Sequence, residues 1–161
     1  MKYLLLLLLF LPLSLHAEVK ETDAGLKAEL DAYWAEISRA VKTGDFEAYK
    51  ATCHPEAVLV SGNKKQSYPL AKALVRWKKE FDDTKSGDRK SSAKFRFSHR
   101  YHDATTAHET GMLLYEFSTK DGKAGKEYVF LEALLVKREG KWLIMMEYQK
   151  ATGTVDDWEK L

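Results

Sequence analysis

A single glutamate interrupts the run Tyr128-Val129-Phe130-Leu131-Glu132-Ala133-Leu134-Leu135-Val136. A carboxylate on so apolar a segment is costly to bury alone, so it should either find a partner or serve a site. Burial in a low-dielectric cup would raise its pKa and let the protonated acid donate a hydrogen bond. His99 and Glu109 lie on neighbouring strand-like segments. A histidine and two acids in an apolar cup could pass protons to and from a bound molecule or hold an ordered water. The structural alternative leaves His99 and Glu109 at a wet rim and pairs Glu132 with a helix side chain. Trp34, Trp77, Phe81, Phe97, Tyr101, Tyr115, Phe130, Met146 and Tyr148 are the groups expected to line such a cup. At helical spacing, residues such as Trp34, Trp77 and Phe81 more often form plain core.

Other chemistries find no support in the residue pattern. His108-Glu109 begins like a zinc-protease helix, but Met112 stands where the second histidine is required. No glycine-rich phosphate loop and no Gly-X-Ser-X-Gly elbow occurs. No metal or cofactor is therefore expected. Cys53 is the sole cysteine, which rules out an internal disulfide and reads as a small buried hydrophobe.

Hydrophobic spacing places these residues on elements. Leu26, Leu30, Tyr33, Trp34, Ile37 and Val41 recur at helical spacing between Asp23 and Val41. Gly44 supplies a left-handed stop, and Asp45 caps a short helix from Phe46 to Cys53 that Pro55 ends. Residues 57–61 and 65–68 read as a small hairpin, and Pro69 opens a third helix bearing Leu70, Leu74, Trp77 and Phe81. A polar loop is expected over 82–92. Four strands follow, at 95–102, 106–118, 126–137 and 141–150, separated by turns at Asp103-Ala104-Thr105, Asp121-Gly122 and Glu139-Gly140.

Turn lengths predict the faces. A three-residue Arg138-Glu139-Gly140 turn sets Glu132 opposite Met146 and Phe130 opposite Tyr148. The two-residue alternative would set Glu132 against Glu147, an unfavourable like-charge pair. A two-residue turn at Asp121-Gly122 and a three-residue turn at 103–105 then place Gly111, Leu113, Tyr115, Phe95, Phe97, His99 and Tyr101 on the same concave face. In this register His99 faces Glu109, and Gly111 leaves open volume beside Glu132. The other face, with Val129, Leu131, Ala133, Leu135, Leu143 and Met145, is too apolar to stay wet and is expected to pair two copies of the chain.

The chain has 161 residues with 26 basic and 24 acidic side chains, a net charge of +2, so nothing in the balance asks for nucleic acid. Lys2 followed by a short apolar run ending at Ala17 has the form of a cleaved signal peptide. Residues 1–17 are assigned to it, 18–151 to one domain, and 152–161 to a polar tail. The protein is then secreted or periplasmic, with no membrane attachment after cleavage.

Residues 43–62, Thr-Gly-Asp-Phe-Glu-Ala-Tyr-Lys-Ala-Thr-Cys-His-Pro-Glu-Ala-Val-Leu-Val-Ser-Gly, resemble the signature of the nuclear transport factor 2-like superfamily. That group includes SnoaL-like polyketide cyclases, ketosteroid isomerase and scytalone dehydratase. Thr106 to Gly111 and Gly140 to Ile144 resemble the starts of two of its long strands, and the likeness spans Leu26 to Gln149. The resemblance implies an α+β cone, cystatin-like, in which three N-terminal helices pack in a curved, mostly antiparallel sheet. It also implies dimerisation through the sheet. Glu132 falls where ketosteroid isomerase holds the acid that donates to its substrate's oxygen. That enzyme's tyrosine corresponds to Ile37 and its proton-shuttling carboxylate to Ser61, and of the dehydratase's two histidines only His99 is placed to serve. The leading expectation is an exported SnoaL-like protein that binds a small, largely apolar molecule in the concave cavity. The alternatives are a cofactor-independent lyase or isomerase using Glu132 and His99 with Tyr101 or Tyr148, and a dimeric assembly module without ligand.

Overall fold

The computed structural model describes residues 22–161. The signal peptide assigned to residues 1–17 lies outside the described residues. Thr22 caps α1 (Asp23–Thr43) by accepting from the Gly25 amide at 3.2 Å. The helix buries Leu26, Leu30, Tyr33, Trp34, Ile37 and Ala40 along one stripe and stops at Gly44, whose left-handed backbone returns its N–H to the last turn. Asp45 then caps α2 (Phe46–Ala51) through the Ala48 amide. This helix is shorter than expected, because the chain has already entered strand β1 (Cys53–Ser61) two residues before Pro55.

Strand β2 (Gln66–Pro69) returns antiparallel to β1, and α3 (Leu70–Ser86) follows. Of the loop expected over 82–92, residues 82–86 are instead the last turn of α3 and residues 89–92 already belong to the next strand. The ion pairs Lys78–Asp82 and Lys79–Asp83, one helical turn apart, let that polar stretch stay helical until Gly87 ends it. Strands β3 (Arg89–His102), β4 (Thr106–Thr119), β5 (Ala124–Arg138) and β6 (Lys141–Thr152) form the meander. The sheet order is β2-β1-β6-β5-β4-β3, antiparallel throughout except where β1 runs parallel to β6. The α1–α3 layer lies in the sheet's concavity, as an α+β cone requires, and the main core joins α1 and α3 to Leu59, Leu131, Ala133, Leu135 and Ile144.

The register departs from expectation, and each departure turns side chains over. Glu139 and Gly140 both have positive φ, 50° and 74°, forming a two-residue turn with Arg138 opposite Lys141. The like-charge clash that argued against this turn does not arise. Ile144 faces Leu135, Met146 faces Leu134, and the extra residue Met145 shifts Glu147 opposite Ala133. At the preceding turn Ser118 faces Ala124, so Gly111 faces Leu131 rather than Glu132. Val129, Leu131, Ala133 and Leu135 therefore point inward. Leu131 is 1 % exposed within the core and is not a surface for a second copy. Phe130, Glu132, Leu134, Met146 and Tyr148 take the outer face in their place.

Part of that outer face is closed by the tail, which is structured. Thr154 and Asp157 form a reciprocal capping box that opens α4 (Val155–Glu159). Its Trp158 is buried against Met112 and Leu114, with Tyr128 and Phe130 packed beside them.

Candidate functional site

The three expected chemical residues do not converge. His99 is exposed, because Ser98 is an extra residue in β3 that sets His99 opposite Thr110 and Arg100 opposite Glu109. Tyr101, beyond the same bulge, is 63 % exposed. Glu132 projects from the outer face, where its carboxylate meets His108 Nε2 at 2.9 Å and Lys150 Nζ at 3.2 Å. His108 first, and Lys150 with it, hold the Glu132 carboxyl below the usual glutamate range, the reverse of the rise expected for a buried acid.

Glu109 is fully buried. It accepts hydrogen bonds from Trp34 Nε1 and Arg100 Nε, and Arg100 reaches on to Asp31 of α1. Both oxygens have donors and the charge is compensated, so this carboxylate ties β4 to α1. It does not line the main cavity. Gly111 leaves no open volume, because a Cβ there would stand 2.0 Å from the Arg96 carbonyl oxygen.

The cavity lies between α1–α3 and the concave face and measures about 430 Å³, within the range of small-molecule sites. Among the expected lining residues, Trp34, Trp77, Phe81 and Tyr115 border it. Phe97 packs against Trp34 at a ring separation of 5.1 Å and faces a neighbouring recess with Asp31. Phe130, Met146 and Tyr148 lie on the other side of the sheet. Tyr33, Ile37, Tyr49, Phe95, Leu113 and Ile144 complete much of the wall.

The buried acid of this cavity is Glu147, beside the more exposed Glu80 and Glu127. The Met145 bulge turns it inward, leaving the residue 8 % exposed. Gln149 Nε2 donates to Oε1 at 2.7 Å, and Oε2 has no protein hydrogen bond among the described residues. Burial raises the Glu147 pKa, which the Gln149 bond only partly offsets. Tyr33 and Tyr49 share the surroundings. Burial lifts both phenols well above their ordinary value, Cys53 and Glu147 add to the rise, and the Tyr33 hydroxyl donates to the Thr52 carbonyl at 3.2 Å. Burial likewise pushes the Cys53 thiol up to about 12, consistent with a half-buried apolar role. Sequence reasoning passed over Glu147, although it interrupts the apolar run Trp142 to Tyr148 just as Glu132 interrupts its own.

At the mouth a polar cluster surrounds Arg89. Its Nη2 donates to the Tyr115 hydroxyl at 3.1 Å and pairs with Glu80 at 3.3 Å, Nε donates to Ser91 at 3.1 Å, and the guanidinium stacks 3.9 Å above the Phe117 ring. The Tyr115 hydroxyl donates to Glu80 at 2.9 Å. The arrangement can therefore hold an apolar molecule between aromatic walls with one titratable carboxyl at its inner end.

A stability test isolates that carboxyl. Because its folded pKa exceeds its unfolded one, the folded state holds the proton more tightly, and stability falls as pH rises from about 4.3 through the folded value. Glu147→Gln removes this slope. The variant should match wild type near pH 4 and exceed it by about 1–2 kcal/mol at pH 8. Urea midpoints across that range report the difference, and parallel curves would show that Glu147 carries no burial penalty.

No family model and no curated protein matches the chain. Solved structures do. Aln2 from a Streptomyces species superposes with a TM-score of 0.63 at 14% identity, over 85% of this chain and 96% of its own. A protein from Catenulispora acidiphila in complex with S-DNPA gives a TM-score of 0.58 at 21% identity, over 77% and 91%. An NTF-2 like protein of unknown function from Shewanella oneidensis gives 0.58 at 16% identity, over 76% and 97%. With three helices held in a curved six-stranded sheet and these neighbours matching nearly their whole length, the chain has the nuclear transport factor 2-like fold.

Proposed function

We propose that this is an exported pocket protein that binds a small, largely apolar molecule in the cavity between α1–α3 and the concave sheet face. One observation carries the reading: a 430 Å³ aromatic-walled cavity keeps at its inner end a carboxyl that is only 8 % exposed and half unpartnered. A filled core would place an aliphatic group there, because an unpaired buried acid costs stability. The complex of the Catenulispora acidiphila neighbour with S-DNPA supports a ligand-holding use of this fold. Self-association through the outer sheet face belongs to the same proposal, with the partly exposed Leu134 in place of the inward Leu131.

Calorimetric titration with neutral 1-naphthylmethanol and its amine analogue 1-naphthylmethylamine tests the pocket. At least one should bind with micromolar to submillimolar affinity, and Leu113→Trp, which fills the cavity, should abolish it. Failure of both compounds to bind the wild-type protein would leave an assembly module with an idle interior as the better reading. Export has its own check. The intact mass of the exported protein should correspond to a chain beginning at Glu18, and retention of Met1 in an envelope fraction would count against cleavage.

A further inference from the structure

The charges of the cavity wall are unbalanced. Glu80, Glu127 and Glu147 border it, against Arg89 as the single Lys or Arg among the described residues of the wall. That guanidinium is already engaged by Glu80, Tyr115, Ser91 and the Phe117 ring. Registers set the two ends apart. Glu147 lies across Ala133, which lies across Glu109 near the start of β4, whereas Arg89 lies across Thr119 at its end. Arg100, the cation on that row, is held by Glu109 and Asp31, so among the described residues no cation pairs with the inner carboxyl. Its free Oε2 belongs to a residue that is more than nine-tenths buried and borders an aromatic-rich space.

We infer that the cavity takes an organic amine, a primary or secondary ammonium on an aryl or compact alkyl body, with the nitrogen seated at Glu147. The inference rests on the pocket reading and names its ligand class. A cation supplies what the site lacks: a charge partner for the carboxylate and donors for its unused oxygen. The faces of Tyr33 and Tyr49 favour positive charge over negative. Their hydroxyls and the Cys53 thiol stay neutral near pH 7, because burial lifts all three. No other ionised group among the described lining residues approaches from α1 or α2. At the mouth, Arg89 from β3 and Glu80 from α3 offset each other, and Glu127 from β5 is left as the charge that favours a cation. An anionic ligand would meet Glu147 with no compensating charge.

Protonation couples to this binding with a fixed sign. An ammonium needs Glu147 ionised, so seating it below the carboxyl's raised pKa expels a proton, and affinity climbs with pH until Glu147 is already ionised in the free protein. A neutral ligand of the same shape has no such requirement.

The test compares 1-naphthylmethylamine with 1-naphthylmethanol on the full-length mature protein by calorimetry, from pH 5 to pH 8. In wild type the amine should bind at least about tenfold more tightly than the alcohol at pH 8, with affinity rising over the pH range. Repetition in buffers of different ionisation heat should show proton release at low pH for the amine alone. Glu147→Gln, which keeps shape and volume, should erase the amine's preference over the alcohol. Alcohol binding as tight as amine binding, or an amine affinity unmoved by Glu147→Gln, would overturn the amine assignment and leave the pocket reading standing. Binding of neither compound would remove both. Because the wild-type pH profile and proton count need no variant, the inference is decided even if Glu147→Gln folds poorly.

Discussion

Replacing Arg100 with leucine should cost about 3 kcal/mol of folding stability, the largest loss expected from any single polar change in this chain. Glu109 is fully buried and depends on Arg100 Nε for charge compensation, with Trp34 Nε1 its other donor. Removing the guanidinium strands a carboxylate in the core and also frees Asp31, loosening β3 from α1. Urea unfolding should show a lower midpoint with little change in slope. The double variant Arg100→Leu with Glu109→Gln should recover most of the loss, because a neutral amide can still accept from the indole. A loss below about 1 kcal/mol, or no recovery in the double variant, would mean that Glu109 is not held as an ion-paired strut. The half-buried Glu132 cluster offers a contrast, since its partly solvated pairs with His108 and Lys150 should be worth no more than about 1 kcal/mol.

Gly111→Ala should be nearly as damaging, at about 2 kcal/mol or more, although it adds only a methyl group. The new Cβ would stand 2.0 Å from the Arg96 carbonyl oxygen and 2.8 Å from the Phe97 Cα. Both are backbone atoms and cannot rotate away, so β3 would have to move. The close approach adjoins the Ser98 bulge, where Gly111 faces Phe97 and Thr110 faces His99. That bulge is also what carries Arg100 opposite Glu109. The substitution should therefore weaken the Arg100–Glu109 contact as well as the local strand pair. Thermal unfolding of Gly111→Ala alone and combined with Arg100→Leu tests this coupling. Strict additivity of the two losses would show that the bulge and the buried ion pair are independent.

Much of the fold is legible in the residues themselves. The helical stripe from Leu26 to Ile37, the Gly44-Asp45 corner, and the turn glycines at 122 and 140 specify local structure through backbone freedom and short-range hydrogen bonds. Their order along the chain determines the α+β cone, because each apolar face has few other places to go. The aromatic lining from the helices was legible for the same reason: Trp34, Trp77 and Phe81 follow from helical spacing, which does not depend on any partner strand. The polar end of α3 and the short helix around Trp158 were not. The first rests on ion pairs one turn apart, and the second on an outer sheet face that exists only after folding.

The site itself was decided by tertiary structure. A strand's side chains alternate, so one inserted residue exchanges the face of everything beyond it. Two such insertions, at Ser98 and Met145, together with two hairpin loops whose lengths differ from those the turn residues suggest, moved His99 and Glu132 outward and brought Glu147 inward. Local sequence carries no strong mark of a bulge, whose cost and benefit are felt across the neighbouring strand. The residues thus place several acids on apolar strands without marking which of them are buried. Only the assembled sheet selects Glu109 to be paired with Arg100 and Glu147 to face the cavity with one oxygen free.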